Sequence, residues 1–526
     1  MPTPRHEVYC KSLLDRLTVL AQDPDHRDQI EHYAEAAEVL LLLDLEPARA
    51  RLEAGLAPNP RGGEPRDVVV VWRVMLLGLL IGEPRYNPLV RIMRSCRILR
   101  VIAGLDDDDR GPGVGTLYDF ENRLYDGAYR VPCAHHERPS VTQRRRAAAP
   151  QRKRESATSA KKKGRVPTTS PRSAADTVAQ LRARADQALS DTLATRLNEL
   201  LHLVAVVPSA ELGLLGQLDK MRVAGDSSVL PTGAAFHGKK TCEHSRFERC
   251  ACDRIYADPD ATLGFDSHAN AVFYGHRFYE FSLIGGGHDL PLAIDVDTGN
   301  TSDAVAGPLV TEILVKTLAN TLPEAVVKIG VFDAGHDAEA FHVYLGTLGI
   351  DPVIPVKSAV SPRHPTRPEL TLSQRGVPLC PANIEMAPAG SAGAGTKAFT
   401  CALRAGRVRV CPLAPHGDTS WHCRPDLKAG PSVTIAIADN PRLVPRIARN
   451  SAAYARHYKS RTCTERSNSI KKTRFKLVAA RRRRASGWRI VVTNMAILQH
   501  ALAWVQDGGE QGLIRSLLAR HARAAA

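Results

Sequence analysis

The sequence predicts an α/β protein: a mixed sheet flanked by helices, with a helical segment ahead of it and a β-rich insertion before a long helix. Three observations lead there. From Met221 onward the order of patterns is strand, strand, strand, helix, strand, helix, strand, which suits a mixed sheet covered by helices. Residues 325–332 form a nearly continuous apolar run, as in a strand buried on both faces. Residues 358–430 then break the rhythm with Pro, Gly, four Cys and short β-prone pieces.

In chain order, residues 7 to about 130 are expected to be mostly helical. Val74, Leu77 and Ile81, then Leu89, Ile92, Met93 and Cys96, recur at helical spacing, with Pro84 and Pro88 between them. Thr116 is the expected N-cap of a helix running to Leu124. Residues 1–137 are therefore assigned to a helical N-terminal domain. Residues 138–172 have almost no large apolar side chains and are expected to be a flexible basic linker. A connecting helix is assigned to 173–210, with Leu181, Leu189, Leu193, Leu197 and Leu200 along one side. The sheet is expected in two parts, 211–357 and 431–505, around the insertion at 358–430, with a helical tail at 506–526. Strands are expected at 223–226, 271–284, 290–296, 325–332 and 350–356. Gly285, Gly286 and Gly287 suit a hairpin turn. One long amphipathic helix is expected over 441–477.

Charge narrows the function. The 526-residue chain carries a net +16. Residues 144–172 hold eleven Lys and Arg against one acid, and residues 456–484 hold twelve against one. Two concentrated basic segments on an otherwise slightly acidic body point to a polyanion, most simply double-stranded DNA. The apolar run from Val68 to Gly82 contains Arg73 and is shorter than a membrane span, so it is read as a buried helix. No export signal is visible at the N-terminus. The eleven cysteines sit at irregular spacings, which fits a reducing cytoplasm better than a secreted disulfide framework.

Three acids fall where a cluster can form. Asp226 ends the first strand, Asp333 ends the strand after the first helix, and Glu465 lies in the long helix. Hard oxygen ligands of this kind suit Mg²⁺ or Mn²⁺, and two such ions about 4 Å apart assist in-line phosphoryl transfer. On one continuous helix Tyr458, Arg461, Glu465 and Lys472 share one face. That stripe sets a carboxylate beside a guanidinium and an ammonium, as phosphate binding requires.

The spacing Tyr458-x2-Arg461-x3-Glu465-x6-Lys472 resembles the Tyr-Arg-Glu-Lys signature of a large group of bacterial insertion-sequence transposases of the DDE, RNase H-like type. Gly225-Asp-Ser-Ser228 resembles the strand of the first Asp. Asp333-Ala-Gly-His-Asp337 resembles the second-Asp motif, where the family more often has Tyr than His336. His276 to Phe281, Asp289 to Asp303 and Gly113 to Phe120 resemble further segments. The resemblance implies an RNase H-like sheet, with Asp226, Asp333 and Glu465 as metal ligands and Tyr458, Arg461 and Lys472 as contacts to the transposon end. It implies a nucleoid-associated enzyme, dimeric on DNA, that binds DNA ends through residues 1–137 and cuts and pastes transposons with two Mg²⁺ or Mn²⁺ ions. The alternatives are a nuclease that does not join strands and an inactive end-binding repressor. Some members stack a flipped base on an aromatic of the insertion, for which Trp421 is the candidate here, against a packed core Trp.

Rival signals are fewer. Gly233-x4-Gly238-Lys239-Lys240 lacks the Ser/Thr of a phosphate-binding loop, so no nucleotide cofactor is expected. Cys242, Cys250 and Cys252 with His237 and His244, or Cys380, Cys401, Cys411 and Cys423, are either zinc ligands or buried thiols. Asp253, Asp258, Asp266, Asp295 and Asp303 are read as surface or turn carboxylates, and Asp337 as the alternative to Asp333.

Overall fold

The structure, a computed structural model, describes residues 2–54, 65–126, 179–180, 183, 193–244, 252, 254–357, 363–364, 367–391, 393, 395–414, 423, 430–507 and 514. The expectations for the basic linker, Cys250, Asp253, Trp421 and most of the C-terminal tail lie outside these residues.

Ahead of the sheet come α1 (Pro4–Leu20), α2 (Pro24–His32), α3 (Ala34–Leu42), α4 (Arg49–Glu53), α5 (Val68–Leu80), α6 (Tyr86–Ser95), α7 (Arg97–Ala103) and α8 (Val114–Asp126). The apolar run is α5, buried along nearly its whole length and capped by Asp67, whose carboxylate accepts from the N–H groups of Val69 and Val70. Arg73 is buried in it because its guanidinium lies 3.7 Å from the Tyr9 ring centroid and donates to the Ala103 carbonyl at 3.2 Å. Among the described residues, no helix is long and apolar enough to cross a membrane. The helix α8 begins at Val114, so Thr116 lies inside it rather than capping it.

The described part of the connecting segment is α9 (Leu193–Leu201), a π-helical turn, and α10 (Val207–Glu211). Asn198 donates to the Ile294 carbonyl and accepts from the Ile294 N–H, while His202 bonds the Leu292 carbonyl. These side chains satisfy backbone groups of β6 (Pro291–Thr298) that its one strand partner leaves open.

The main sheet is mixed. It contains β1 (Met221–Pro231), β4 (Thr262–Asp266), β5 (Ala271–Leu283), β6, β7 (Val327–Val331) and β8 (Asp351–Val353), in the order β4-β5-β1-β7-β8 with β6 also on β5. Between β1 and β4 lies a small hairpin of β2 (Lys239–Lys240) and β3 (Arg254–Ile255). β5 runs antiparallel to β1, β4 and β6, whereas β7 runs parallel to β1 and β8 parallel to β7. The Gly285 to Gly287 turn between β5 and β6 has positive φ at all three residues (111°, 77°, 85°), which glycine alone adopts without strain. Helices α11 (Asp303–Thr321) and α12 (Glu339–Thr347) flank the sheet. The overall class is therefore mixed α/β, as the sequence predicts.

Beyond β8 two small sheets form, β9 (Arg363–His364) with β10 (Arg367–Thr371), and β11 (Ala387–Pro388), β12 (Thr396–Thr400) and β13 (Ser432–Ala436). β13 follows residue 430 yet pairs with β12. Leu370, Met386, Phe399, Ile435 and Val444 give this unit a small core of its own.

The single helix expected over 441–477 is instead two, α13 (Ala452–Lys459) and α14 (Thr462–Thr473). Pro441 and Pro445 lack the N–H that a helix needs. Residues 441–451 wrap around the buried Arg449, which donates to the carbonyls of Ile354, Leu443 and Arg442. The break at Ser460 and Arg461 coincides with Thr464 bonding back to the Arg461 carbonyl at 2.9 Å. The last long helix, α15 (Arg484–Asp507), is buried from Trp488 to Val505 apart from Arg489. Trp72 of α5 donates to Asn494 on it at 2.9 Å, so one core runs from the N-terminal helices to the sheet.

Candidate metal centre

Strand register builds the centre. Ala224 of β1 lies beside Val331 of the parallel strand β7. Two residues further along each chain stand Asp226 and Asp333; Asp333 follows the end of β7, whereas Asp226 lies in the middle of β1, which runs on to Pro231 instead of ending at Asp226 as the sequence suggests. Gly225 makes room beside them. A Cβ there would meet the Tyr279 hydroxyl at 2.3 Å and the rings of Phe281 and Phe332 at 2.9 Å. The third member is Asp303, the first residue of α11 after its N-cap Ser302. Asp226, Asp303 and Asp333 each offer an oxygen within 4.8 Å of the others, and together they can hold a metal ion.

The cluster carries the electrostatic mark of a cation site. Burial, followed by repulsion from Asp333 and Asp303, raises the Asp226 carboxyl to about 6. Burial also pushes Asp333 upward, but hydrogen bonding and charge from His336 outweigh it and hold Asp333 below its usual value. His336 is fully buried. Its Nδ1 lies 2.6 Å from Asp333 Oδ1 and its Nε2 lies 2.8 Å from the Tyr279 hydroxyl. Burial, then the charges of Asp303, Asp226 and Asp333, raise Tyr279 well above its ordinary value, so it keeps its proton. The neutral Tyr279 hydroxyl can either donate to Nε2 or accept from it, while Nδ1–H donates to Asp333. The Gly335 N–H donates to the same oxygen at 2.9 Å. Asp303 Oδ1 is buried and makes no hydrogen bond to the protein, so its lone pairs are available to a cation.

Glu465 stands apart from this trio. It lies in the first turn of α14 with its side chain 49% exposed, and Arg461 bonds it at 2.5 Å. The other end of the same guanidinium lies 3.5 Å from Asp226. Arg461 thus occupies the cation position between Asp226 and Glu465. Tyr458 belongs to α13, where it stacks on Tyr454 at 5.9 Å between centroids. The four stripe residues therefore do not share one continuous helix, although Arg461 and Glu465 keep contact across the break. Lys472 is exposed, while its neighbour Lys471 is fully buried. Lys471 pairs with Glu280 at 2.5 Å and also bonds Ser467 and Gln499, tying α14 to β5 and α15.

Asp337 lies elsewhere. It is buried against Arg442 at 2.7 Å and His342 at 3.4 Å and accepts the Lys357 N–H, so it anchors the loop after β8. Asp258 is buried against His276 at 3.1 Å, Asp295 pairs with Arg489 at 2.6 Å, and Asp266 accepts from the backbone N–H groups of His268 and Ala269. The residue missed by sequence reading is Asp303. Its available signal was its place at the start of the helix that follows β6, where a carboxylate also meets the positive end of the helix dipole.

A separate cleft, which none of the cluster acids lines, is bounded by Arg222 near the start of β1, by His288 and Asp289, and by Arg456, Lys459 and Arg466. Arg466 is pinned there by Asp289 at 2.7 Å. In the insertion, burial followed by the nearby Cys401 raises the Cys423 thiol, with Cys380 and Cys411 adding to it. Comparison of the chain with family models, with curated proteins and with solved structures finds no match.

Proposed function

We propose that this protein is a DNA transposase of the DDE, RNase H-like type. On this reading it cleaves DNA at transposon ends and joins the freed 3′-hydroxyls to target DNA. The observation that carries the reading is the parallel register of β1 and β7, which sets Asp226 beside Asp333 with Arg461 and Glu465 facing them. The mixed sheet, the β-rich insertion and the helix bearing Glu465 after it also agree with what the sequence resemblance implies.

The residues fit Mg²⁺ or Mn²⁺: the donors are all carboxylate oxygens, the Asp303 oxygen is buried and unsatisfied, and a guanidinium already stands in for a cation. Asp226, Asp333 and Glu465 are the proposed ligands, with Asp303 beside them. Bound divalent ions would supply charge stabilisation at the phosphoryl oxygens and activate a water or a 3′-hydroxyl. The chain's own groups do the rest. His336 and the Gly335 N–H fix one oxygen of Asp333 and leave the other for the site. Arg461, once released from Glu465, presents a bidentate donor to a phosphate. Arg222, Arg456 and Lys459 in the cleft take the DNA backbone, and Tyr458 and Lys472 are assigned to the transposon end. A dimer on double-stranded DNA in the bacterial cytoplasm is part of the same proposal.

The test uses purified full-length protein with Mg²⁺ and a linear DNA carrying the element's terminal repeats beside a target plasmid. The expected products are cleaved ends and covalently joined plasmid. Cleavage with no joined product would replace transposition by simple nuclease action, and no cleavage at any end would remove the proposal.

A further inference from the structure

A second group of metal-ligating side chains lies away from the acid cluster, in the hairpin between β1 and β4. The hairpin pairs Lys239 with Ile255 and Lys240 with Arg254. Continuing that register by two residues sets Cys242 across from Cys252. His244 follows Cys242 by two residues, and its Nδ1 lies 3.6 Å from the Cys252 sulfur. The ligand atoms of Cys242, His244 and Cys252 all lie within 4.8 Å of one another. A tetrahedral zinc with ordinary Zn–S and Zn–N lengths needs sulfur and nitrogen about 3.5 Å apart. The Cys252–His244 edge therefore already has the right length, and Cys242 needs only a small side-chain adjustment. The two cysteines are thiols, not a disulfide.

The surroundings give a zinc ion something to do. β2 and β3 are two residues each, and so short a hairpin has little stability of its own. From Thr232 to His244 nearly every residue is exposed or half-exposed, with Phe236 46% exposed, so the segment buries almost no apolar surface. Segments that cannot build a core are commonly held by metals or disulfides. Anchors exist at the base, where Asp258 bonds Thr232 and His276. The hairpin also forms one wall of an open cavity lined by Phe236, His237, Tyr256 and Tyr274.

We propose that Cys242, His244 and Cys252 bind a zinc ion that staples the tip of this hairpin and fixes the wall of the adjoining cavity. A water or a further protein group takes the fourth position. Two thiolates and an imidazole are the donor set of a borderline-soft cation, in contrast to the carboxylates of the acid cluster. The site does not depend on the transposase reading.

The test is zinc content and ligand type in the full-length protein, purified without chelator from zinc-supplemented cells. The double variant Cys242→Ser/Cys252→Ser should lose roughly one zinc per chain relative to the unmodified protein. The variant Asp226→Asn/Asp333→Asn should keep it, which separates this site from the acid cluster. Cobalt substitution should give a thiolate charge-transfer band that the cysteine variant lacks and the aspartate variant retains. His244→Ala, a milder change at an exposed residue, should release zinc to a competing chelator faster while leaving the circular dichroism spectrum unchanged. This guards against simple misfolding of the double variant. Equal zinc in the cysteine variant and the unmodified protein would overturn the proposal. So would a Cys242–Cys252 disulfide in protein isolated from a reducing cytoplasm.

Discussion

The guanidinium of Arg461 lies 3.5 Å from the carboxylate of Asp226, in the position a cation takes between that residue and Glu465. The arginine therefore has two opposed effects on the site. It neutralises the cluster in the absence of metal, and it repels a divalent ion that enters.

Arg461→Ala is accordingly expected to split binding from chemistry. Removing a half-buried positive charge a few ångströms away should tighten Mn²⁺ binding by roughly 3- to 10-fold. The same change should slow end cleavage on the order of 10²-fold, because a phosphate beside the scissile bond loses its clamp. Arg466→Ala is the control, since Arg466 is engaged with Asp289 and faces the neighbouring cleft, and it should alter cleavage much less. Calorimetric Mn²⁺ titration and single-turnover cleavage read the two effects. Parallel loss of metal binding and cleavage in Arg461→Ala would mean the arginine supports the metal rather than opposing it.

Asp303 and Asp337 should behave in opposite ways. Asp303→Asn should weaken Mn²⁺ binding with little loss of stability, because it removes one negative charge from the cluster and, with it, some of the repulsion among the acids. Asp337→Ala leaves Arg442 without the carboxylate it bonds. Breaking such a pair should cost about 3 kcal/mol of folding stability, without a comparable effect on metal affinity per folded molecule. Denaturant melts and metal titrations of the two variants check this, and a stable Asp337→Ala protein deficient in metal binding would exchange their roles.

Metal affinity should depend on pH through Asp226. Its carboxyl is raised to about 6 by burial and by its acidic neighbours. The metal binds the ionised form, so affinity should be highest above pH 6 and fall by about tenfold per pH unit well below it. In Asp226→Asn that slope should disappear together with most of the affinity. An unchanged slope would assign the proton to another group.

Stability should show a separate acid transition. His202 and His500 are fully buried, and burial lowers each to about 4. A histidine whose folded value is depressed contributes its full stability above the unfolded value near 6.5. That contribution is lost as pH falls from there toward 4, because only the unfolded chain takes up the proton. Each group accounts for on the order of 3 kcal/mol across that window. Urea denaturation between pH 7 and 4 should follow this decline, with a shallower slope in His202→Gln. A flat profile in the unmodified protein would show that these rings are not held neutral.

Much of the sheet was legible because its signals are local. The apolar run ending at Phe332 reads as a buried strand, and Asp333 directly after it reads as a residue at a strand end. The split of the 441–477 helix was less legible, since helical spacing continues through the break while Pro445, the buried Arg449 and the Thr464 back-bond act against it. That break also matters for the two adjacent lysines. Sequence spacing favours Lys472, but Lys471 is the one turned inward, because Glu280 on β5 waits there. Asp303 was not legible as a cluster member. An acid after Asn300-Thr-Ser looks like any turn carboxylate until the fold carries the start of α11 to the middle of β1 and the end of β7. His336 is local to Asp333 in sequence, yet its bond to Tyr279 depends on β5 lying beside β1.

The most direct test of the account is Mg²⁺-dependent cleavage by Asp226→Ala and Asp333→Ala, measured with transposon-end DNA binding on the same preparations. Each change should abolish cleavage while end binding stays within a few-fold of the unmodified protein, because carboxylates hold the metal and basic groups hold the phosphates. Cleavage at near the unmodified rate in either variant would contradict it.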